Sequence, residues 1–136
     1  SFHKAIDWLY DIEEACGWDD GDQKKAMGAL RAVLHQLRDL LPIENTAHLS
    51  AQLPLFIRGL FFESWVPGRE PSRIRKKEDF LDAIYQSIQV YNEPDVEKIT
   101  KNILRIIFQK IDPLEKEKII KTIPDGLKEL FYHRPL

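Results

Sequence analysis

With 136 residues, 43% hydrophobic and 31% charged, the chain is expected to be one globular domain spanning 1–136; disorder would need fewer apolar residues and more net charge. A formal net charge of −2 supplies no global field to gather nucleic acid or an anionic membrane. The single cysteine, Cys16, excludes an internal disulfide, and no apolar run approaches the ~18 residues that a membrane span needs.

Apolar residues recur at helical spacing along nearly the whole chain, and strand-like alternation is nowhere sustained. The first helix is expected over 2–15, with Ile6, Leu9, Tyr10 and Phe2 inward and Cys16-Gly17 ending it. A second helix starts near Asp20, the expected cap, and buries Leu30, Val33, Leu34, Leu37 and Leu41 before Pro42 stops it. Asn45 or Thr46 then caps a short helix containing Leu49 and Leu53. A fourth begins at Pro54, carries Ile57, Leu60 and Phe61, and ends near Ser64.

Two prolines and a glycine between Trp65 and Arg73 forbid a helix there, so a connection is expected over about 65–77. The helical pattern resumes at 78–89 with Phe80, Leu81, Ile84 and Ile88. Asn92 is the expected cap of the next helix, with Pro94 in its first turn and a stripe of Ile99, Ile103, Leu104, Ile107, Phe108 and Ile111. Asp112-Pro113 opens another, with Glu115 closing a capping box, and Pro124 opens the last, with Leu127, Leu130 and Phe131.

The second half repeats the first. Phe2, Ala5 and Ile6 pair with Phe80, Ala83 and Ile84; Leu30-Arg31 and Val33-Leu34 with Leu104-Arg105 and Ile107-Phe108, and Leu37 with Ile111; Leu53-Pro54 with Ile123-Pro124; Leu60-Phe61-Phe62 with Leu130-Phe131-Tyr132. The offset shrinks from 78 to 74 to 70, as two four-residue loop deletions would require. The expected fold is all-α: a bundle of about eight helices made of two diverged copies of one unit, about 1–64 and 78–136, with pseudo-two-fold symmetry. Two units side by side around separate cores are the other arrangement.

The stretch Leu53-Pro54, Ile57-Arg58-Gly59-Leu60-Phe61-Phe62, then Trp65 and Pro67 resembles the central signature of an uncharacterised bacterial family, domain of unknown function 2267. Phe80-Leu81 at the start of a later helix is also similar. The resemblance implies an all-helical bacterial cytoplasmic protein, and it carries no reaction and no catalytic residue. Phe61-Phe62 stands where that family's pattern has tyrosines.

Residues with chemical potential have bland explanations. Cys16 ends a helix, where the dipole disfavours a thiolate. His3, His35, His48 and His133 fit no ligand spacing. Glu44 and His48 share a face only if their helix extends back past Asn45, and His35 is expected on an exposed face with Arg31 and Arg38. Asp19-Asp20-Gly21-Asp22 begins like a calcium loop, yet Leu30 falls where the bidentate glutamate belongs, so helix capping is the expected role. The six glycines form no phosphate-binding loop. No metal, cofactor or catalytic residue is expected.

Charge divides unevenly: residues 1–65 carry 6 Lys/Arg and 10 Asp/Glu, and residues 66–136 carry 14 and 12. The basic run Arg69, Arg73, Arg75, Lys76 and Lys77 is countered at once by Glu78, Asp79 and Asp82. The expected function is a non-catalytic interaction or scaffolding module, binding a protein partner or a second copy. Its candidate surface is Phe61, Phe62, Trp65, Pro67, Arg69, Arg73, Arg75 and Tyr132, and Gly59 is read as a point of close helix approach. Two other readings stand beside it: a ligand-binding or enzymatic groove between the units near Trp65, and weak nucleic-acid binding through the basic connection. No signal-peptide pattern opens the sequence, so a cytoplasmic location is expected.

Overall fold

The structure, a computed structural model, describes residues 2–88 and 95–132. Among the described residues there are seven α-helices and one 3₁₀ helix, and no strand: α1 Phe2–Cys16, α2 Gln23–Leu40, α3 Ile43–Ala51, α4 Leu55–Phe62, α5 Lys77–Ile88, α6 Val96–Lys110, α7 Pro113–Thr122 and the 3₁₀ helix Asp125–Leu130. None of these helices is long and apolar enough to cross a membrane.

Helix boundaries follow proline and aspartate. Pro42, Pro54 and Pro124 each sit just before a helix, where a missing N–H costs nothing. Asp95 and Asp112 accept from the amides of Lys98 and Leu114 at 3.0 and 2.8 Å.

Several expected caps are replaced. Asp22, not Asp20, precedes α2, and its side chain makes no capping bond. Gly21 N–H instead donates to the buried Glu13 carboxylate at 3.2 Å, tying the α1–α2 turn to α1. Helix α3 starts at Ile43, ahead of Asn45 and Thr46, and Thr46 Oγ1 donates back to the Pro42 carbonyl at 3.3 Å. Glu115 closes no capping box, because Asp112 N–H donates to Gln52 Oε1 at 3.1 Å. Asn92 and Pro94 lie outside the described residues.

One continuous core draws on both halves of the chain, from Ala5 in α1 to Phe131 at the C-terminal 3₁₀ helix. A shared core excludes separate cores side by side. The most extensive helix pairings are α2 with α5 and α1 with α6, so each half's first helix lies on the other half's second. The expected stripes of α2, α4, α5 and α6 are all buried.

Helix α1 departs from expectation. Phe2 and Tyr10 are exposed and Ile6 is half-buried, while Ala5, Trp8, Leu9 and Ile12 face the core. The inward face is therefore rotated toward Trp8, whose large apolar area outweighs that of Tyr10. Phe2 lies against the ring of Phe56 on the surface, with centroids 6.1 Å apart.

Candidate functional site

Three polar side chains at helical spacing on α2 meet the C-terminal end of α4. A helix leaves its last carbonyls without intrahelical donors, and burial makes their satisfaction compulsory. Arg38 Nη1 donates to the carbonyls of Phe61 and Glu63 at 2.7 and 2.8 Å. His35 Nε2 bonds the Leu60 carbonyl at 2.7 Å; since a carbonyl only accepts, Nε2 carries the proton. Arg31 pairs with the Glu63 carboxylate at 2.8 Å. The expected exposed face of Arg31, His35 and Arg38 is instead a docking stripe for α4, with Arg38 only 5% exposed. Burial holds His35 below its ordinary 6.5, helped by repulsion from Arg38 and opposed by the Leu60 bond.

After α4 the backbone turns through Ser64, whose φ of 59° is left-handed. Trp65 then folds back, its ring 5.1 Å from that of Phe62. Ser72 N–H donates to the Asp39 carbonyl at 2.6 Å, and Asp39 Oδ1 accepts from Arg38 Nε at 2.9 Å. The connection thus arches over α2 and the start of α3, enclosing an open cleft of about 470 Å³. Its apolar wall is Leu41, Ile43, Trp65, Val66 and Pro71, and its polar wall includes Gln36, Arg38, Asp39 and Arg69. No residue of α5, α6 or α7 lines it, so the cleft beside Trp65 does not lie between the two halves.

A second cleft, about 570 Å³, does join the halves. Lys4, Asp7 and Trp8 of α1 form one side, Gln52 to Leu55 and Arg58 at the α3–α4 junction another, and Lys110 at the end of α6 the third. Arg58 is held by Nε to the Ser50 carbonyl at 2.9 Å and Nη2 to the Leu53 carbonyl at 3.2 Å. Lys110 Nζ pairs with Asp11 at 2.6 Å and stands 5.8 Å from the Trp8 ring centroid. These positive groups come from separate elements and form no motif, so the linear sequence carries no signal for them beyond the helix order.

The eight surface candidates are dispersed. Phe61 is wholly buried and offers no surface, while Phe62 and Trp65 are half-buried. Pro67, Arg69, Arg73 and Arg75 are exposed along the connection, with Arg73 only 3.7 Å from Glu70. Tyr132 is exposed beyond the 3₁₀ helix, while its neighbour Phe131 packs between Phe80 and Phe108. Lys77 leaves the basic run: it is the first residue of α5 and pairs with Glu97 and Glu129 at 3.1 and 3.0 Å.

Gly59 is not a point of close approach, because a Cβ built there meets nothing within 4 Å. Gly126 is, since the same atom would fall onto the Arg75 carbonyl oxygen. Glu44 and His48 do lie on one helix, both exposed, and among the described residues no group of three or more His, Cys, Asp or Glu is placed to hold a metal ion.

Comparison with curated proteins finds no match. The model of a family described as "Uncharacterized conserved protein (DUF2267)" matches residues 6–130, nearly the whole described bundle, and the chain belongs to that family.

Proposed function

We propose that this protein is a non-catalytic interaction module of the bacterial cytoplasm, and that it seats a short segment of a partner protein in the cleft beside Trp65. The observation that carries the reading is the meeting of exposed Ile43 and Val66 with half-buried Trp65 around one 470 Å³ opening. Apolar side chains left at a concave surface gain by excluding water with a partner, and tryptophan is a frequent anchor of such contacts. Inside the cleft Arg38 and Asp39 largely neutralise each other. On its rim Arg69 stands beside Glu70, and farther along the connection Arg73, Arg75 and Lys76 face solvent, opposed by Glu70 and, at the start of α5, by Glu78, Asp79 and Asp82. The segment expected is therefore aliphatic or aromatic at its centre and acidic at its flank.

Selection of random displayed peptides on the immobilised protein tests this. Enrichment of apolar peptides with acidic flanks, bound at least tenfold more weakly by Trp65→Ala, is the expected result. No enrichment, or peptides indifferent to Trp65, refutes it. Sedimentation of the free chain at a multiple of its own mass, abolished by Val66→Glu, would make a second copy the occupant and overturn the partner segment.

The two halves are further proposed to be diverged copies related by a pseudo-two-fold axis. Exchanging α1 with α5, α2 with α6 and α4 with the 3₁₀ helix turns the α1–α6 pairing into α5–α2, and α2–α4 into α6–3₁₀, both of which are present. A spacing of 70 residues pairs buried Leu41, rather than the expected Leu37, with Ile111, and also Ile57 with Leu127, Leu60 with Leu130 and Phe61 with Phe131. The links Leu41-Pro42 and Ile111-Asp112 are equally short, and the α3–α4 link is only one residue longer than that between α7 and the 3₁₀ helix, so the four-residue deletion expected after α2 has no loop to occupy. Phe2 and Phe80 differ in burial; Trp8, Leu9 and Ile12 match Phe80, Leu81 and Ile84 better.

A further inference from the structure

We infer that the second cleft, at the seam of the two halves, is a binding site for a small phosphate-bearing anion. Lys4, Arg58 and Lys110 line it from three different elements, with Asp7 as the one lining carboxylate. The lining is thus positive by two, and by one when Asp11 behind Lys110 is counted. That balance suits a group carrying one to two negative charges near neutral pH, as phosphate does.

Two of the three cationic donors are held before any ligand arrives. Arg58 is fixed by two backbone carbonyls of the α3–α4 junction, which leaves its Nη1 out of those bonds. Lys110 is oriented by Asp11 and by the face of Trp8, and an ammonium has two further N–H groups to give. Gln52 Oε1 is occupied by Asp112 N–H, so the free end of that side chain is its NH₂ donor. With Arg58 and Lys110 already fixed, Lys4 is the one cation that must be ordered on binding, which limits the entropy cost. The cleft volume of about 570 Å³ is sufficient for a small phosphate-bearing molecule.

Neither Lys4 nor Asp7 makes an ion pair or hydrogen bond with a described residue, and both are exposed, so their replacement is expected to leave the fold intact. Calorimetric titration with inorganic phosphate, pyrophosphate and adenosine monophosphate, each against sodium chloride at matched ionic strength, tests the site. Saturable binding is expected, weakened at least threefold by Lys4→Gln and strengthened about twofold by Asp7→Asn, since the two changes move the local charge in opposite directions. Tighter binding of pyrophosphate than of the nucleotide would assign a free oxyanion; the reverse order would assign a phosphate monoester. Absence of saturable binding at matched ionic strength, or binding that neither substitution changes, overturns the inference.

Discussion

Arg38 illustrates how a charge comes to be buried in a protein of this size. Its guanidinium serves two carbonyls of the α4 terminus and one carboxylate, so desolvation of the cation is offset by charge-assisted bonds. Arg38→Met removes the donors and leaves the carbonyls buried, and a loss of about 3 kcal/mol in urea unfolding is expected. His35 beside it adds a pH dependence. The unfolded histidine takes up a proton near its ordinary 6.5, whereas burial makes the folded one resist it. Stability should therefore decline as pH falls from about 6.5 toward the lowered folded value, and that part of the slope should vanish in His35→Gln. Thr100 shows the opposite economy. Its Oγ1 is buried without a hydrogen-bond partner among the described residues. Thr100→Val keeps the shape, removes the hydroxyl, and is expected to raise stability by about 1 kcal/mol.

At the scale of elements, helix ends are completed by side chains from their neighbours. Asn102 of α6 donates to the Ala15 carbonyl at the end of α1 at 3.0 Å, Arg58 of α4 serves the end of α3, and His35 with Arg38 of α2 serves the end of α4. Sequence reading finds the helix starts at Pro54, Asp112 and Pro124, because proline and aspartate act locally, but it misplaces the caps of α2 and α3. It misses these ends, because the donors are distant in the chain. Two glycines give a paired test. Gly59 lies inside α4 with open space at its missing Cβ, so Gly59→Ala is expected to stabilise by about 0.5–1 kcal/mol. Gly126 lies under the Arg75 carbonyl, so Gly126→Ala must displace the connection and is expected to lower the melting temperature. Thermal melts of the two variants read both signs.

For the whole molecule, stability rests on contacts between the halves. The pairings of α2 with α5 and α1 with α6 bury the faces that neither half can cover alone. Fragments 1–68 and 69–136 are therefore expected to lack cooperative melts separately and to regain helicity when mixed, as circular dichroism would show. A cooperative melt of either fragment alone would contradict that dependence.

The order of the described helices and most of their inward stripes were legible in the sequence, since the 3.6-residue period and proline positions are local properties. Family membership was legible for a similar reason: the Leu53-Pro54 to Pro67 segment is contiguous. The face that α1 turns inward was not, because Trp8 and Tyr10 compete for one core and only the packed neighbours decide between them. The burial of Arg38, the close approach at Gly126 and the assembly of Lys4, Arg58 and Lys110 around one cleft likewise arise from the tertiary structure. Each depends on the crossing of helices far apart in the chain, and no local period records where two helices will cross.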